Sequence, residues 1–231
     1  MKKLIVCVCA LVLVLCLASA AAAEPMSILI LTSSGVNDGN FNQDCYEGIL
    51  SFLEKHGDCT VTDVKEEDLA QLIPALDMLV GDYDVFVLPG YNFGRIGDIA
   101  LNNPDKYFLV VDSDLQDSEG NPMTADNVYT MTYKEQEGGF MAGVAAALST
   151  KSGKVAEVNG IAYPSNVNYQ FGFMSGVNYV NAKYGKQVEC VEHPSCAGVD
   201  MSGTNVGGNY VGDFAKPDKG KIGRASCRER V

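Results

Sequence analysis

A chain of 231 residues, 47% apolar and 20% charged, has the size and make-up of a globular protein of one large or two small domains. Its formal net charge of −12 argues against a nucleic-acid binder, which needs clustered Lys and Arg to contact phosphates. Beyond that the acidity bears on solubility and selects no partner.

The N-terminus reads as a targeting segment. Lys2-Lys3 is followed by an apolar run from Leu4 to Leu17 and by the small residues Ala18-Ser19-Ala20-Ala21-Ala22-Ala23, so residues 1–23 form an export signal with cleavage expected before Glu24. Cys16 is preceded by Val14-Leu15, where a lipoprotein needs a small residue, so a soluble exported protein is favoured over a lipid anchor. No later run approaches the ~20 apolar residues of a membrane span.

The mature chain alternates strand and helix. Ser27 to Thr32 is an apolar strand, and Gly35-Val36-Asn37-Asp38-Gly39-Asn40-Phe41-Asn42-Gln43 is the polar turn after it. A helix capped by Asn40 or Asn42 runs to about Lys55 and ends at His56-Gly57. Thr60 to Val64 is a second strand. Leu69, Leu72, Ile73, Leu76, Leu79 and Val80 mark a helical stripe that Pro74 bends or splits. Val85 to Leu88 is a buried strand ending at Pro89-Gly90, and Phe93 to Leu101 a short helix stopped by Asn102-Asn103-Pro104. Tyr107 to Val111 is a fourth strand ending at Asp112, and Asn127 to Met131 a fifth.

Gln136 to Leu148 is a helix so rich in Gly and Ala that a sheet or another helix must approach its backbone closely. Ser149 to Lys154 is a polar break and the expected domain boundary. The pattern then restarts with a strand from Lys154 to Val158, a turn to Pro164, a helix from Val167 to Ala182 and a strand from Gln187 to Val191. Glu192 to Gly208, rich in Gly, Ser, Thr and Asn, is expected to be a mobile surface segment. Residues 222–231 turn abruptly basic and resemble cloning or adaptor read-through. The expected division is therefore a first α/β lobe over 24–150, a partial second lobe over 151–221 and a non-native tail.

Near-continuous apolar strands between helices mean a parallel sheet covered on both faces. Ligands bind such sheets at the C-terminal ends of the strands. Three strand ends carry unusual groups: Asp38, Phe41 and Asn42 after the first, Gly90 and Tyr91 after the third, and Asp112 with Asp114 just beyond after the fourth. Each alone reads as a cap or a loop residue; three in succession point to a site. The first turn lacks Gly-x-Gly-x-x-Gly and any Gly-Lys-Ser/Thr, and it carries an acid, so it is no phosphate cradle.

Cys7, Cys9 and Cys16 lie in the signal and Cys227 in the tail. Of the other four, Cys190 and Cys196 enclose a short loop and could pair, whereas a helix separates Cys45 from Cys59 by roughly 20 Å, beyond bridging distance. All four read first as small apolar residues. With no Cys-x-x-Cys and only His56 and His193, both read as surface residues, no zinc site is expected.

The turn Gly35–Gln43, the run Tyr133-Lys134-Glu135-Gln136-Glu137-Gly138-Gly139-Phe140-Met141-Ala142-Gly143 and the run Phe171-Gly172-Phe173-Met174-Ser175-Gly176-Val177-Asn178-Tyr179-Val180-Asn181 together resemble the basic membrane protein family. These are purine-nucleoside-binding substrate-binding proteins of ABC transporters. The resemblance spans about residue 27 to about residue 221. It implies the type I periplasmic-binding fold, a three-layer α/β/α parallel-sheet lobe followed here by an incomplete second α/β lobe. It also implies a nucleoside held between lobes, a permease partner, and no cofactor and no catalysis. Carried over, the site comprises Asp38, Phe41, Asn42, Asp112 and Tyr169, with Tyr91 a further candidate ring beside Gly90; core packing is the expected fate of Phe41. A sugar or signalling-molecule receptor of the same fold is the alternative. An exported hydrolase using Asp38 and Asp112 stands further off, for there is no Gly-x-Ser-x-Gly elbow and no His at a strand end.

Overall fold

A computed structural model describes residues 25–214 of the chain. The export signal, its three cysteines, Cys227 and the basic tail lie outside the described residues. The described chain falls into two compact units. One holds the residues up to Pro89 with Ile96–Leu109 and Thr124–Tyr129; the other holds Gly90–Arg95, Val110–Met123 and the chain from Thr130 onward.

A five-stranded sheet runs through the first unit, with the last two residues of its fourth and fifth strands and the turn after its third counted in the second. Strand β1 (Ser27–Thr32) leads through a polar turn into helix α1 (Phe41–Leu53) and on to β2 (Thr60–Lys65). A 3-10 turn, Leu69–Gln71, precedes α2 (Leu72–Leu79), then come β3 (Val85–Pro89), a second 3-10 turn Tyr91–Arg95 and α3 (Gly97–Asn102), and finally β4 (Tyr107–Val111) and β5 (Val128–Met131). The sheet order is β2-β1-β3-β4-β5, and β1 pairs in parallel with both β2 and β3. Leu29, Ile30 and Leu31 of β1 and Phe86 and Leu88 of β3 have no exposed surface, so both faces of the sheet's centre are covered. Each such side chain contributes about 1.5–3 kcal/mol on burial. Phe86 stacks on Phe108 of β4 with centroids 5.0 Å apart. By contrast β2, at the edge, has no buried residue: Val61 and Val64 are half-buried and Thr60, Thr62, Asp63 and Lys65 lie in solvent.

Two expected helices come out in pieces. The Leu69–Val80 stripe divides into the 3-10 turn and α2, with Pro74 seated in the first turn of α2, where a missing N–H leaves no ladder bond unmade. The expected Phe93–Leu101 helix likewise divides into the Tyr91–Arg95 turn and α3.

The second unit is dominated by two long helices, α4 (Glu135–Ser149) and α5 (Pro164–Tyr184), with β6 (Lys154–Val155) and β7 (Glu189–Cys190) pairing in parallel beside them. Their contact explains the glycine content. A Cβ built on Gly139 or Gly143 would run into the carbonyl oxygens of Tyr169 and Phe173, and one on Gly172 or Gly176 into those of Gln136 and Phe140. Both helices thus carry a Gly-x-x-x-Gly face that brings the backbones together. Ala147, Phe173, Val177, Val180 and Val188 form the core beneath this contact. Pro164 opens α5 and Gly185, at φ 63°, closes it. Lys186 Nζ donates to the Ala147 and Leu148 carbonyls at 3.3 and 3.1 Å, satisfying the free end of α4.

The Glu192–Gly208 stretch departs from expectation. It contains a 3-10 turn, Pro194–Cys196, and an antiparallel pair, β8 (Gly198–Val199) with β9 (Asn205–Gly207). Asp200 Oδ1 closes the hairpin by accepting from Ser202 N and Thr204 N, both at 2.9 Å, and Gln170 Nε2 on α5 donates to the Val206 carbonyl at 2.9 Å. The small polar residues that look like loop composition are here turn residues and side-chain hydrogen-bonding groups. Cys45, Cys59, Cys190 and Cys196 are half-buried free thiols, with Cys45 and Cys190 packed against the hydrophobic clusters of their units. His56 is exposed, its ring stacked on Phe52, while His193 is half-buried.

Candidate functional site

The second unit holds a cavity of about 210 Å³ whose wall is formed by three strand ends and two helix starts. Tyr91 comes from the turn after β3, Asp112, Ser113, Asp114 and Gln116 from the segment after β4, Thr132 and Tyr133 from the link after β5, Glu135 from the start of α4, and Pro164, Ser165 and Asn168 from the first turns of α5. Hydroxyls, two amides and the carboxylates of Asp112, Asp114 and Glu135 line it, and no Lys or Arg does.

Asp112 is the centre of this wall. At φ 67° it is the one non-glycine residue of left-handed backbone among those described. That conformation costs about 1–2 kcal/mol for most residues and less for Asp or Asn. Its N–H donates to the Met131 carbonyl at 2.7 Å, so the strain is held in place by the ladder. Burial raises the Asp112 carboxyl above the ordinary aspartate value; a hydrogen bond from the Ser165 hydroxyl opposes the rise, and the charge of Glu135 adds to it. Glu135 in turn accepts from Asn168 Nδ2 at 3.4 Å, tying the start of α4 to α5.

Tyr91 stacks on Tyr163 with centroids 5.0 Å apart and planes 30° apart, and the Tyr163 hydroxyl donates to Asn92 Oδ1 at 3.1 Å. Phe214 extends the row, 5.9 Å from Tyr163. Burial raises the Tyr163 phenol above its ordinary range despite the Asn92 bond. The turn that carries Tyr91 is locked to the Asp112 segment at Gly94, where a Cβ would meet Ser113 Oγ and the Asp114 carbonyl; the Gly94 carbonyl accepts from Gln116 N at 2.7 Å. Gly90, at φ 113°, makes the bend out of β3 and donates to the Val111 carbonyl at 2.8 Å.

The residues expected at the site are thus distributed. Tyr91 and Asp112 share the cavity, with Gly90 adjoining Tyr91 in the chain. Tyr169 is on α5 but does not line the cavity; its ring edge lies beside Gly138 and its carbonyl against Gly139. Asp38, Phe41 and Asn42 belong to the first unit. There the Asp38 carboxylate accepts from the backbone of Asn40 (3.0 Å), Asn42 (3.3 Å) and Gln43 (3.1 Å), so Asp38, not Asn40 or Asn42, satisfies the N-terminus of α1. Asn42 is buried and donates from Nδ2 to Ser34 Oγ at 2.7 Å. Core packing does not describe Phe41, which is 39% exposed at the start of α1. Replacing Asp38 by Ala should lower the melting free energy by about 1 kcal/mol, as loss of an N-terminal cap does; an unchanged thermal midpoint would remove it from that role.

Sequence reasoning did not assign Ser113, Gln116, Thr132, Tyr133, Glu135, Tyr163, Ser165 or Asn168 to a site. For Glu135 a signal existed, an acid in the first turn of a Gly-rich helix directly after a strand. For Ser165 and Asn168 none did, because their place depends on how α5 packs. Among the described residues no group of three or more His, Cys, Asp or Glu is arranged to hold a metal, and no helix is long and apolar enough to cross a membrane.

Comparison with known proteins sets these features in a family. Residues 26–195 match the Bmp family of PnrA-like ABC transporter substrate-binding proteins. The chain is 28% identical over 199 residues to a CD4+ T-cell-stimulating antigen of Listeria monocytogenes, covering 84% of this chain and 48% of the relative. It is 28% identical over 163 residues to the ABC transporter nucleoside-binding protein BmpA of Lactococcus lactis (67% and 43%), and 27% identical over 156 residues to basic membrane protein A of Borreliella burgdorferi (67% and 44%). The chain spans about half the length of the curated relatives it matches. Among solved structures, an ABC transporter solute-binding protein from Aeropyrum pernix superimposes with a TM-score of 0.73 at 25% identity, over 89% of this chain and 53% of that one. The parallel-sheet α/β architecture is accordingly that of a type I periplasmic-binding-protein-like fold. This chain belongs to the Bmp family of PnrA-like ABC transporter substrate-binding proteins.

Proposed function

We propose that this protein is an exported receptor that binds a neutral purine nucleoside and presents it to an ABC permease, without catalysis. The observation that carries the reading is the lining of the cavity: three carboxylates with hydroxyls and amides, and no cation. Ionised carboxylates accept hydroxyl protons in charge-assisted bonds, which suits a ribose, and the Tyr91–Tyr163 stack offers a flat apolar partner for a heterocycle. The same lining repels phosphate, so a nucleoside is preferred to a nucleotide. The name of the Lactococcus lactis relative points the same way. Asp38, Phe41, Asn42 and Tyr169 remain proposed ligand contacts, and the boundary between the lobes along the chain is proposed near residue 150.

Titration calorimetry with inosine, guanosine and adenosine, against ribose, glucose and inosine monophosphate, tests this. Nucleosides should bind, the monophosphate at least tenfold more weakly, and no free base should be released on prolonged incubation. Binding of glucose in place of nucleosides would make the protein a sugar receptor, and released base an enzyme. Asp112→Ala should weaken nucleoside binding by roughly 10- to 100-fold, the worth of a hydrogen bond to a charged group. Because the charge-assisted bonds need ionised Asp112, affinity should fall as the pH drops through its raised pKa, earlier than an ordinary aspartate would dictate.

A further inference from the structure

Away from the cavity, the second unit half-buries an acid that no cation neutralises. Glu157 lies two residues beyond β6. Its Oε1 accepts from Asn159 Nδ2 at 3.0 Å, while Oε2 is shut off from solvent and accepts no hydrogen bond. Among the described residues no ion pair reaches it, and Lys154 of β6 pairs with Glu189 at 3.5 Å instead. The groups facing it are the Cys190 thiol of β7, the Glu192 carboxylate just after β7, and the Tyr210 phenol of the segment that returns across both. None is a cation.

That returning segment, Asn209–Gly212, brings Tyr210 against the acid and is bonded along Glu157–Gly160, and we take it as the cover. Asn209 Nδ2 donates to the Glu157 and Val191 carbonyls, both at 3.0 Å, and Asn209 Oδ1 accepts from His193 N at 2.8 Å. Asn159 N donates to the Asn209 carbonyl at 2.8 Å, Val211 N to the Asn159 carbonyl at 3.0 Å and Gly212 N to the Gly160 carbonyl at 2.8 Å. The Tyr210 hydroxyl donates to Gln170 Oε1 on α5 at 2.6 Å.

We propose that Glu157 is a proton-operated latch: it is neutral while the Asn209–Gly212 segment is docked, and its ionisation favours a state in which the segment has lifted and water reaches the carboxylate. A carboxylate oxygen denied both water and donors is tolerable protonated and unfavourable charged, and the cheapest route to water is through the cover. Burial pushes Glu157 up to about 7, with Asn159 opposing the rise and Glu192 adding to it. The facing thiol and phenol are pushed up to about 11 and about 12, chiefly by burial, and stay neutral over the same range. The docked state therefore keeps its proton between 4.5 and about 7 while the lifted state loses it. Lifting should rise about tenfold per pH unit across that window and level off above it.

Hydrogen exchange of the full chain from about pH 5 to about 8, corrected for intrinsic rates, reads this at the amides of Asn159, Val211 and Gly212. Their protection should fall steeply with pH in the wild type and stay flat in Glu157→Gln. Flat protection in the wild type, or the same slope in both chains, overturns the latch. Should Glu157→Gln fail to fold, a carboxyl-carbon NMR titration of the wild type decides: one glutamate with its midpoint near 7 supports the latch, and all glutamates titrating below about 5.5 sink it.

Discussion

Gly143→Ala is expected to destabilise the α4–α5 pair by about 3 kcal/mol or more, and Gly143→Val to prevent its formation. The reason is specific to the contact. A Cβ at position 143 points into the Phe173 carbonyl and lies 2.9 Å from its carbon, and both atoms are backbone of a 21-residue helix. Flexible side chains could yield; a helix backbone yields only if the two axes move apart, which also lifts Gly139 from Tyr169 and exposes the Ala147–Phe173–Val177 core. For a chain of this size the alanine variant should melt roughly 6–12 °C lower. Gly138→Ala is the control on the same helix, since its Cβ would lie 3.8 Å from the Tyr169 ring, at ordinary contact distance. It should be neutral or stabilise by about 0.5–1 kcal/mol through helix propensity. Thermal melts followed by circular dichroism compare the two, and equal midpoints for Gly143→Ala and the wild type would refute the close approach.

Asn127→Asp should cost on the order of 3–5 kcal/mol in the first unit although it changes one nitrogen to oxygen. Asn127 Nδ2 donates to the carbonyls of Ala100 (3.0 Å), Asn103 (3.0 Å) and Lys106 (2.9 Å), joining the end of α3 to the entry of β4, while its own carbonyl accepts from Phe108 N at 2.9 Å. A carboxylate there would face three acceptors with no proton to offer. The loss should therefore be greatest at neutral pH and shrink as acidification protonates the introduced acid. Asn127→Ala, which removes the donor without adding charge, should be milder, at about 1–3 kcal/mol. Urea unfolding at about pH 5 and about pH 7 checks both; a pH-independent difference between the two variants would remove the electrostatic argument.

The strands were legible because their apolar runs are long and their ends are marked. Val85–Pro89 and Tyr107–Val111 are found within a residue of their expected bounds. Helices broken by local geometry were less so: a stripe of apolar residues does not reveal that Asp68 caps a 3-10 turn by accepting from Ala70 N at 3.0 Å before α2 begins. The strand expected over Lys154–Val158 keeps ladder pairing only at Lys154–Val155, because Glu157 and Asn159 engage the returning Asn209 segment instead. At the cavity, Asp112 and Tyr91 were legible as groups placed at strand ends. Ser165, Asn168 and Tyr163 were not, for a helix's first turn carries no mark of which loop will lie opposite it.

Taken alone, the order of residues determined the family, the alternation of strand and helix, and the need for some close partner against the Gly- and Ala-rich helix. The family rests on three motifs matched residue by residue, and the other two depend on composition and spacing within a few turns of chain. Only the tertiary structure decided that the partner is α5, that Asp38 is occupied with the start of α1, that Glu135 and Ser165 flank Asp112, and that Asn209 ties down the backbone of the half-buried Glu157. Each of those outcomes joins residues far apart in the chain or selects one of several local hydrogen-bond partners. Such choices are settled by which surfaces exclude water and which buried polar groups find a donor, and no local pattern encodes either.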